Sequence, residues 1–144
     1  MSLMKVFCDT NVIISGLYRQ DGPPGKILQM HTQGQITIIV SALVIQELAI
    51  VLQRKFPQLL AYFLTFLEEF PFEIVKNPIP KNLENFSAEL PFNDAVIFTA
   101  ACNSEATIFI TGNSKDFDVI KGEGLMPILP PKLALEIIQK GQTK

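Results

Sequence analysis

The sequence predicts a three-layer α/β/α domain built on a central, mainly parallel sheet, and two observations carry that expectation. Short apolar runs that break off at small polar residues alternate with longer stretches whose apolar residues recur at helical spacing, an order that leads to parallel strands covered by helices on both faces. The composition agrees: 48% of the 144 residues are hydrophobic and the mean hydropathy is +0.29, so the chain folds around a large core and is neither disordered nor fibrous. The length fits one domain over residues 1–144.

Lys5-Val6-Phe7-Cys8 reads as the first buried strand and stops at Asp9-Thr10-Asn11; Ile36 to Val40 is the second and stops at Ser41. Thr107 to Thr111 gives way to Gly112-Asn113, and Met126 to Leu129 is followed by Pro130-Pro131, a good opening for a helix. Helical patterns run from Pro24 to His31, Ala42 to Phe56, Gln58 to Phe70, Asn93 to Asn103 and Lys132 to Lys140. The stretch from Lys76 to Pro91 holds three prolines and several asparagines, so an irregular surface connection is expected there. Asp21-Gly22-Pro23-Pro24-Gly25 is expected to end the loop after the first strand and to border the site. No internal repeat or low-complexity tract is present.

Twelve basic residues against fourteen acidic ones leave a net charge of -2, which excludes the strongly basic footprint of a general nucleic-acid coater. Any such partner is gripped by a local patch. Cys8 and Cys102 lie far apart inside apolar runs, which suits buried thiols in a reducing, cytosolic compartment better than a disulfide framework. No stretch reaches the roughly eighteen nonpolar residues that a membrane span needs.

In open parallel sheets, reactive groups collect beyond the carboxyl ends of the strands. Four acidic positions fall there. Asp9 stands where the first strand runs out, with Thr10 and Asn11 beside it as short side chains able to fix a carboxylate rotamer. Glu47 shares a helical face with Leu43, Val44, Ile50 and Val51, so it points toward the core and needs a cation, strong donors or a proton. Asp94 falls in the first turn of an almost wholly apolar helix, with Asn93 as the expected cap. The fourth position lies in Thr111-Gly112-Asn113-Ser114-Lys115-Asp116-Phe117-Asp118, where Asp116 or Asp118 follows a buried strand closely.

Each acid has an ordinary role open to it: a turn or cap for Asp9, an ion pair with Arg54 for Glu47, dipole complementation for Asp94, and plain loop acids for Asp116 and Asp118. Brought together at one sheet edge they repel, unless a cation lies between them. Oxygen-only ligands of this kind suit Mg²⁺ or Mn²⁺ rather than zinc, and such centres hydrolyse phosphate esters.

In order and spacing these residues resemble the PIN-domain proteins, many of them ribonucleases and many the toxin half of toxin-antitoxin pairs. Asp9-Thr10-Asn11 looks like the family's opening motif, Glu47 within Ser41 to Leu52 like its second acid, Pro91 to Asp94 with Ala100-Ala101 like its third, and Thr111-Gly112-Asn113 like its fourth. The resemblance implies a parallel sheet with flanking helices, divalent-metal-dependent hydrolysis of RNA phosphodiesters, and often a homodimer silenced by an antitoxin protein. Asp9, Glu47, Asp94 and Asp116 are then the expected catalytic and metal-holding residues, with Asn113 in the same shell and Thr10, Asn11 and Thr111 in support. Asn113 departs from the family, which often carries an aspartate after the Thr-Gly pair; an amide oxygen holds a cation more weakly, and Asp116 can compensate. A PIN-like module that binds RNA or a protein without cutting is the alternative.

Cations expected to rim the site are Arg19, Lys26 and Lys115, with Arg54 and Lys55 farther off. His31 ends a helical segment and complements its dipole, so it is not expected to be a base or a ligand. Lys115 after a strand invites comparison with phospho-receiver domains, but the second strand ends at Ser41 and supplies no acceptor aspartate. A nucleotide-binding domain would need a glycine-rich loop after the first strand, which Asp9 to Ile13 does not provide. Leu59 to Phe70 is apolar around most of its circumference, so self-association or a docked antitoxin through this helix and its neighbour is expected, with a place inside an enlarged core as the alternative.

Overall fold

The computed structural model describes residues 3–79, 90–120 and 126–142. Five strands, β1 (Met4–Cys8), β2 (Ile36–Ser41), β3 (Glu73–Val75), β4 (Ile108–Ile110) and β5 (Ile128–Leu129), form one sheet in the order β3-β2-β1-β4-β5, with every pairing parallel. Among the described residues six helices flank it: α1 (Thr10–Tyr18), α2 (Pro23–Thr32), α3 (Ala42–Lys55), α4 (Pro57–Glu69), α5 (Phe92–Asn103) and α6 (Pro131–Gln142), with a 3-10 helix at Ser114–Ile120. Consecutive residues Val6, Phe7 and Cys8 are all 0% exposed. Neighbouring strand residues point to opposite faces, so both faces of the sheet are covered and the three-layer expectation holds. Among the described residues, no helix is long and apolar enough to cross a membrane. Both cysteines are unpaired, and burial pushes each thiol up, Cys102 to about 11.

The chain winds outward from β1 through β2 to β3 and then returns to lay β4 on the other side of β1. That reversal puts the switch point between the carboxyl ends of β1 and β4. Phe7 and Phe109 are register partners there, with rings 5.6 Å apart, and Phe98 from α5 and Phe117 from the 3-10 helix lie 5.1 and 5.2 Å from Phe109. This ring cluster anchors the floor beneath the strand ends.

Two elements depart from the sequence expectation. Residues 10–18, expected as loop, form α1 although Val12, Ile13, Ile14 and Gly16 are poor helix formers; packing overrides propensity. Gly16 eases the close crossing of α1 and α2, since a Cβ there would meet Leu28 Cδ1 at 2.6 Å and the Pro24 carbonyl oxygen at 3.0 Å, so a larger residue would make Leu28 repack. Asp21 to Gly25 therefore lies at the far end of a nine-residue helix, roughly 13 Å long, and does not border the strand ends. The other addition is β3, an edge strand of three residues with Ile74 55% exposed. Residues 76–79 are irregular as expected, Asn77 accepting from the Leu43 backbone N–H at 2.9 Å; residues 80–89 of that connection lie outside the described residues.

Most of the surplus apolar surface of α4 is absorbed by the core: Phe63 and Phe66 are buried, and Leu59, Leu60, Leu67 and Phe70 pack against it. Tyr62 and Leu64 stay exposed.

His31 acts as an internal pin rather than a dipole partner. Its Nδ1 accepts from the Ile38 N–H at 3.1 Å, which leaves Nε2 to donate to the Phe70 carbonyl at 3.1 Å, and its ring lies 5.2 Å from Phe72. One imidazole thus ties α2, β2 and the end of α4 together. His31→Ala is expected to lower stability by about 2 kcal/mol, because it strands the Ile38 N–H and opens a space between the rings; chemical denaturation measures the loss.

Candidate functional site

Asp9 follows directly on β1 and continues the ladder, its backbone N–H donating to the Ile110 carbonyl at 2.9 Å. It is also the N-cap of α1, so one residue ends the strand, starts the helix and stands at the switch point. The residue is 7% exposed. Oδ1 accepts from the Thr10 N–H and Oδ2 from the Thr111 hydroxyl, each at 2.8 Å. Thr111 Oγ1 in turn accepts from the Asn113 N–H at 3.1 Å.

Glu47 sits in the second turn of α3, half-buried, beside rather than beneath the core face formed by Val44, Leu48 and Leu52. Thr10 Oγ1 donates to its Oε1 at 2.6 Å and Asn93 Nδ2 to its Oε2 at 3.2 Å. Thr10 therefore serves two acids, its backbone N–H on Asp9 and its hydroxyl on Glu47. The ion pair with Arg54 weighed for Glu47 is not formed; Arg54 is exposed in the last turn of α3, and Ile50 is 46% exposed.

Asp94 is in the first turn of α5 and half-buried. Asn93 is not the cap: the helix starts at Phe92 with Pro91 in the cap position, which frees the Asn93 amide to reach Glu47. Sequence reasoning missed this bridge, because it depends on the helix starting one residue earlier than expected, just after the proline. Asp116 lies exposed on the 3-10 helix, its N–H bonded to the Asn113 carbonyl at 2.9 Å, and its charge reaches Asp94. Asn113 is exposed and joins the site through its backbone. Asn11, expected to steady a carboxylate, instead accepts from the Gly112 N–H at 2.8 Å and clips the first strand end to the fourth. The fit is close, since a Cβ on Gly112 would come within 3.1 Å of Asn11 Oδ1.

Electrostatics shows the convergence most directly. Burial raises the Asp9 carboxyl to about 6, against the lowering effect of its bonds from Thr111 and Thr10, and the charges of Asp94 and Glu47 push it further up. Asp94 is raised as well, by burial first, then by Asp116 and Glu47. Among the described residues, ion pairs join Lys5 to Glu73 and Glu105, and none touches these four acids. In kind, the donors fit a hard divalent cation: oxygen only, anionic and mutually repelling. As they stand, no three carboxylate, imidazole or thiol groups among the described residues are gathered around one point, so holding an ion jointly requires side-chain movement.

The expected cationic rim is thinner than the sequence suggested. Arg19 caps the far end of α1, Lys26 is exposed on α2 beyond it, and Arg54 and Lys55 occupy the last turn of α3, leaving Lys115 as the cation next to the fourth motif.

Fold and geometry together define a parallel α/β protein with an acidic cluster at the carboxyl edge of its sheet. The chain belongs to the PIN domain family, whose model matches residues 5–115. Among solved structures it is similar to VapBC2 from Rickettsia felis bound to a DNA fragment from their promoter, with a TM-score of 0.68 at 20% identity over 88% of this chain and 98% of that one. It is also similar to DNA-bound VapBC from Salmonella typhimurium, with a TM-score of 0.66 at 18% identity over 90% and 99% of the two chains. PAE2754 from Pyrobaculum aerophilum gives 0.64 at 14% identity over 97% and 99%. No curated protein matches the sequence.

Proposed function

We propose that this protein is a Mg²⁺- or Mn²⁺-dependent endoribonuclease that hydrolyses RNA phosphodiester bonds, with Asp9, Glu47, Asp94 and Asp116 as its catalytic acids. The observation that carries this is the buried Asp9 carboxyl at the switch point, raised to about 6 within the field of Glu47 and Asp94 and with no basic partner among the described residues. A bound divalent ion supplies an acidified water and neutralises charge on the phosphoryl oxygens. The chain's own residues do the positioning. Thr111 and the Thr10 N–H fix both oxygens of Asp9, Thr10 and Asn93 fix those of Glu47, and the Asn11–Gly112 bond holds the fourth motif against the first. Asn113 belongs to the same shell as a weaker oxygen donor. Water adds to phosphorus as the P–O bond to the leaving oxygen breaks, and the proton that the water gives up ends on that oxygen, which departs as an alcohol.

Two of the similar structures are VapBC assemblies bound to DNA, which supports an antitoxin protein as partner and the toxin half of a toxin-antitoxin pair as this chain's role. A homodimer of single-domain subunits in the reducing cytoplasm fits that role and the two free thiols. The second proposal, a PIN-like module that binds without cutting, draws on the exposed Asn113 in the fourth motif and the ungathered acids.

A Mn²⁺ titration separates the two. At saturating Mn²⁺ the wild type is expected to melt roughly 5–10 °C higher than in EDTA and to cleave structured RNA, and Asp94→Asn is expected to lose most of both effects. Absence of both ion-dependent effects in the wild type rules out the nuclease. Within the nuclease, Asn93→Ala is expected to lower kcat by roughly tenfold while the melting temperature changes little, because it frees one oxygen of Glu47 at an exposed position.

A further inference from the structure

We propose that Phe92 is a stacking platform for an unpaired nucleobase next to the scissile phosphate. The inference rests on the ribonuclease proposal and adds how the strand is gripped. Phe92 is 64% exposed, the highest value among the exposed large apolar side chains of the described residues. It makes no ring contact with another described aromatic residue. Water contact over so much aromatic surface is unfavourable, and nothing in the packing of α5 requires it.

Its place is fixed by its neighbours. The next residue, Asn93, donates to Glu47 at 3.2 Å, and the one after, Asp94, lies in the field of Glu47 and Asp116. Successive Cα atoms are about 3.8 Å apart, so the Phe92 backbone stands at the rim of the acidic cluster, with its exposed ring in solvent. Ahead of it, Pro91 holds φ at -53°. Behind it, every residue from Ala95 to Ala101 is buried, so α5 cannot roll to hide the ring.

The charge distribution gives such a platform a task. Among the described residues, phosphates approaching four acids on a chain of net charge -2 find Lys115 beside the fourth motif and Lys76 just past β3, whereas Arg19, Lys26, Arg54 and Lys55 stand at the far ends of their helices or beyond. Phosphate contacts alone make a weak grip under these conditions. Stacking on an aromatic face needs no charge, accepts any base and requires that base to be unpaired, so the ligand class is a single-stranded segment of nucleic acid.

The test uses the full chain with Mg²⁺ and short, nuclease-resistant 2′-O-methyl oligoribonucleotides, set against an abasic oligomer of equal length. The chain contains no tryptophan, so Phe92→Trp introduces a single indole reporter. Its emission is expected to be quenched by the base-bearing oligomer and unchanged by the abasic one. Phe92→Ala is expected to weaken oligomer binding by about tenfold or more, equally at low and high salt, and to raise KM on cleavable RNA while kcat stays near wild type; Phe92→Tyr retains binding. The ring is exposed, so melting temperatures confirm that all three variants fold. If Phe92→Ala binds the oligomer as tightly as wild type, the platform is overturned, the ring is assigned to a protein contact, and ion-dependent cleavage by the wild type still stands. If the wild type neither binds the oligomer nor cuts RNA, the ribonuclease proposal falls and takes this one with it.

Discussion

Asp9→Asn is expected to reduce ion-dependent RNA cleavage by roughly a thousandfold or more while making the ion-free protein more stable at neutral pH. The two effects share one cause. The folded protein raises this carboxyl from 3.8 to about 6, so it holds the proton more tightly than the unfolded chain does. Below the unfolded value the group is protonated in both states and costs nothing. As the pH rises from about 4 to about 6 the unfolded chain ionises first, stability falls, and above that window the loss is constant at about 3 kcal/mol for a two-unit shift. Asparagine keeps the shape and removes the charge. Urea denaturation in EDTA is therefore expected to show wild type and variant equal near pH 4 and the variant ahead at pH 7, with added Mn²⁺ reversing the order. Asp94, raised for similar reasons, adds a slope of the same sign that the single variant retains. A wild-type stability that does not fall across this window would contradict the buried, crowded state of Asp9.

The largest effect on folding is expected from Phe109→Ala. Phe109 is 0% exposed and its ring meets those of Phe7, Phe98 and Phe117 at centroid distances of 5.6, 5.1 and 5.2 Å, joining β1, β4, α5 and the 3-10 helix. Removing it leaves a cavity that three rigid neighbours cannot close, at a cost of about 4 kcal/mol. That is a large share of the roughly 5–15 kcal/mol that holds a typical domain together. Denaturation midpoints measure it, and Phe109→Leu, which keeps more of the volume, is expected to lose less. Because Ile110 and Thr111 follow directly, the Thr111–Asp9 bond is expected to loosen in the same variant.

The parts of the fold that the sequence revealed are those where burial writes an unambiguous pattern. Val6-Phe7-Cys8 is a continuous apolar run and Ile36 to Val40 is broken only by Thr37, because both faces of the sheet are covered, and each stops where the chain reaches the sheet edge. Helix α1 was hidden because its β-branched residues look extended when read locally, and packing against α2 and α3 holds it in helical form. Strand β3 is too short for any alternation to show. The acids were legible for a geometric reason: Asp9, Glu47 and Asp94 each lie within a turn or two of a strand end or helix start on the same edge. The cations were not, since the unforeseen length of α1 carries Arg19 and Lys26 away from that edge. Likewise the Asn93–Glu47 contact depends on where α5 begins to within one residue, which local propensity does not resolve.

The sheet tapers to three residues at one border and two at the other. Such stubs offer an incoming chain few backbone donors and acceptors, so lateral growth by strand addition is disfavoured and fibril-like association is blunted at its source. The short edges leave side chains on the helices and connecting segments as the favoured surface for assembly, where recognition can be encoded residue by residue.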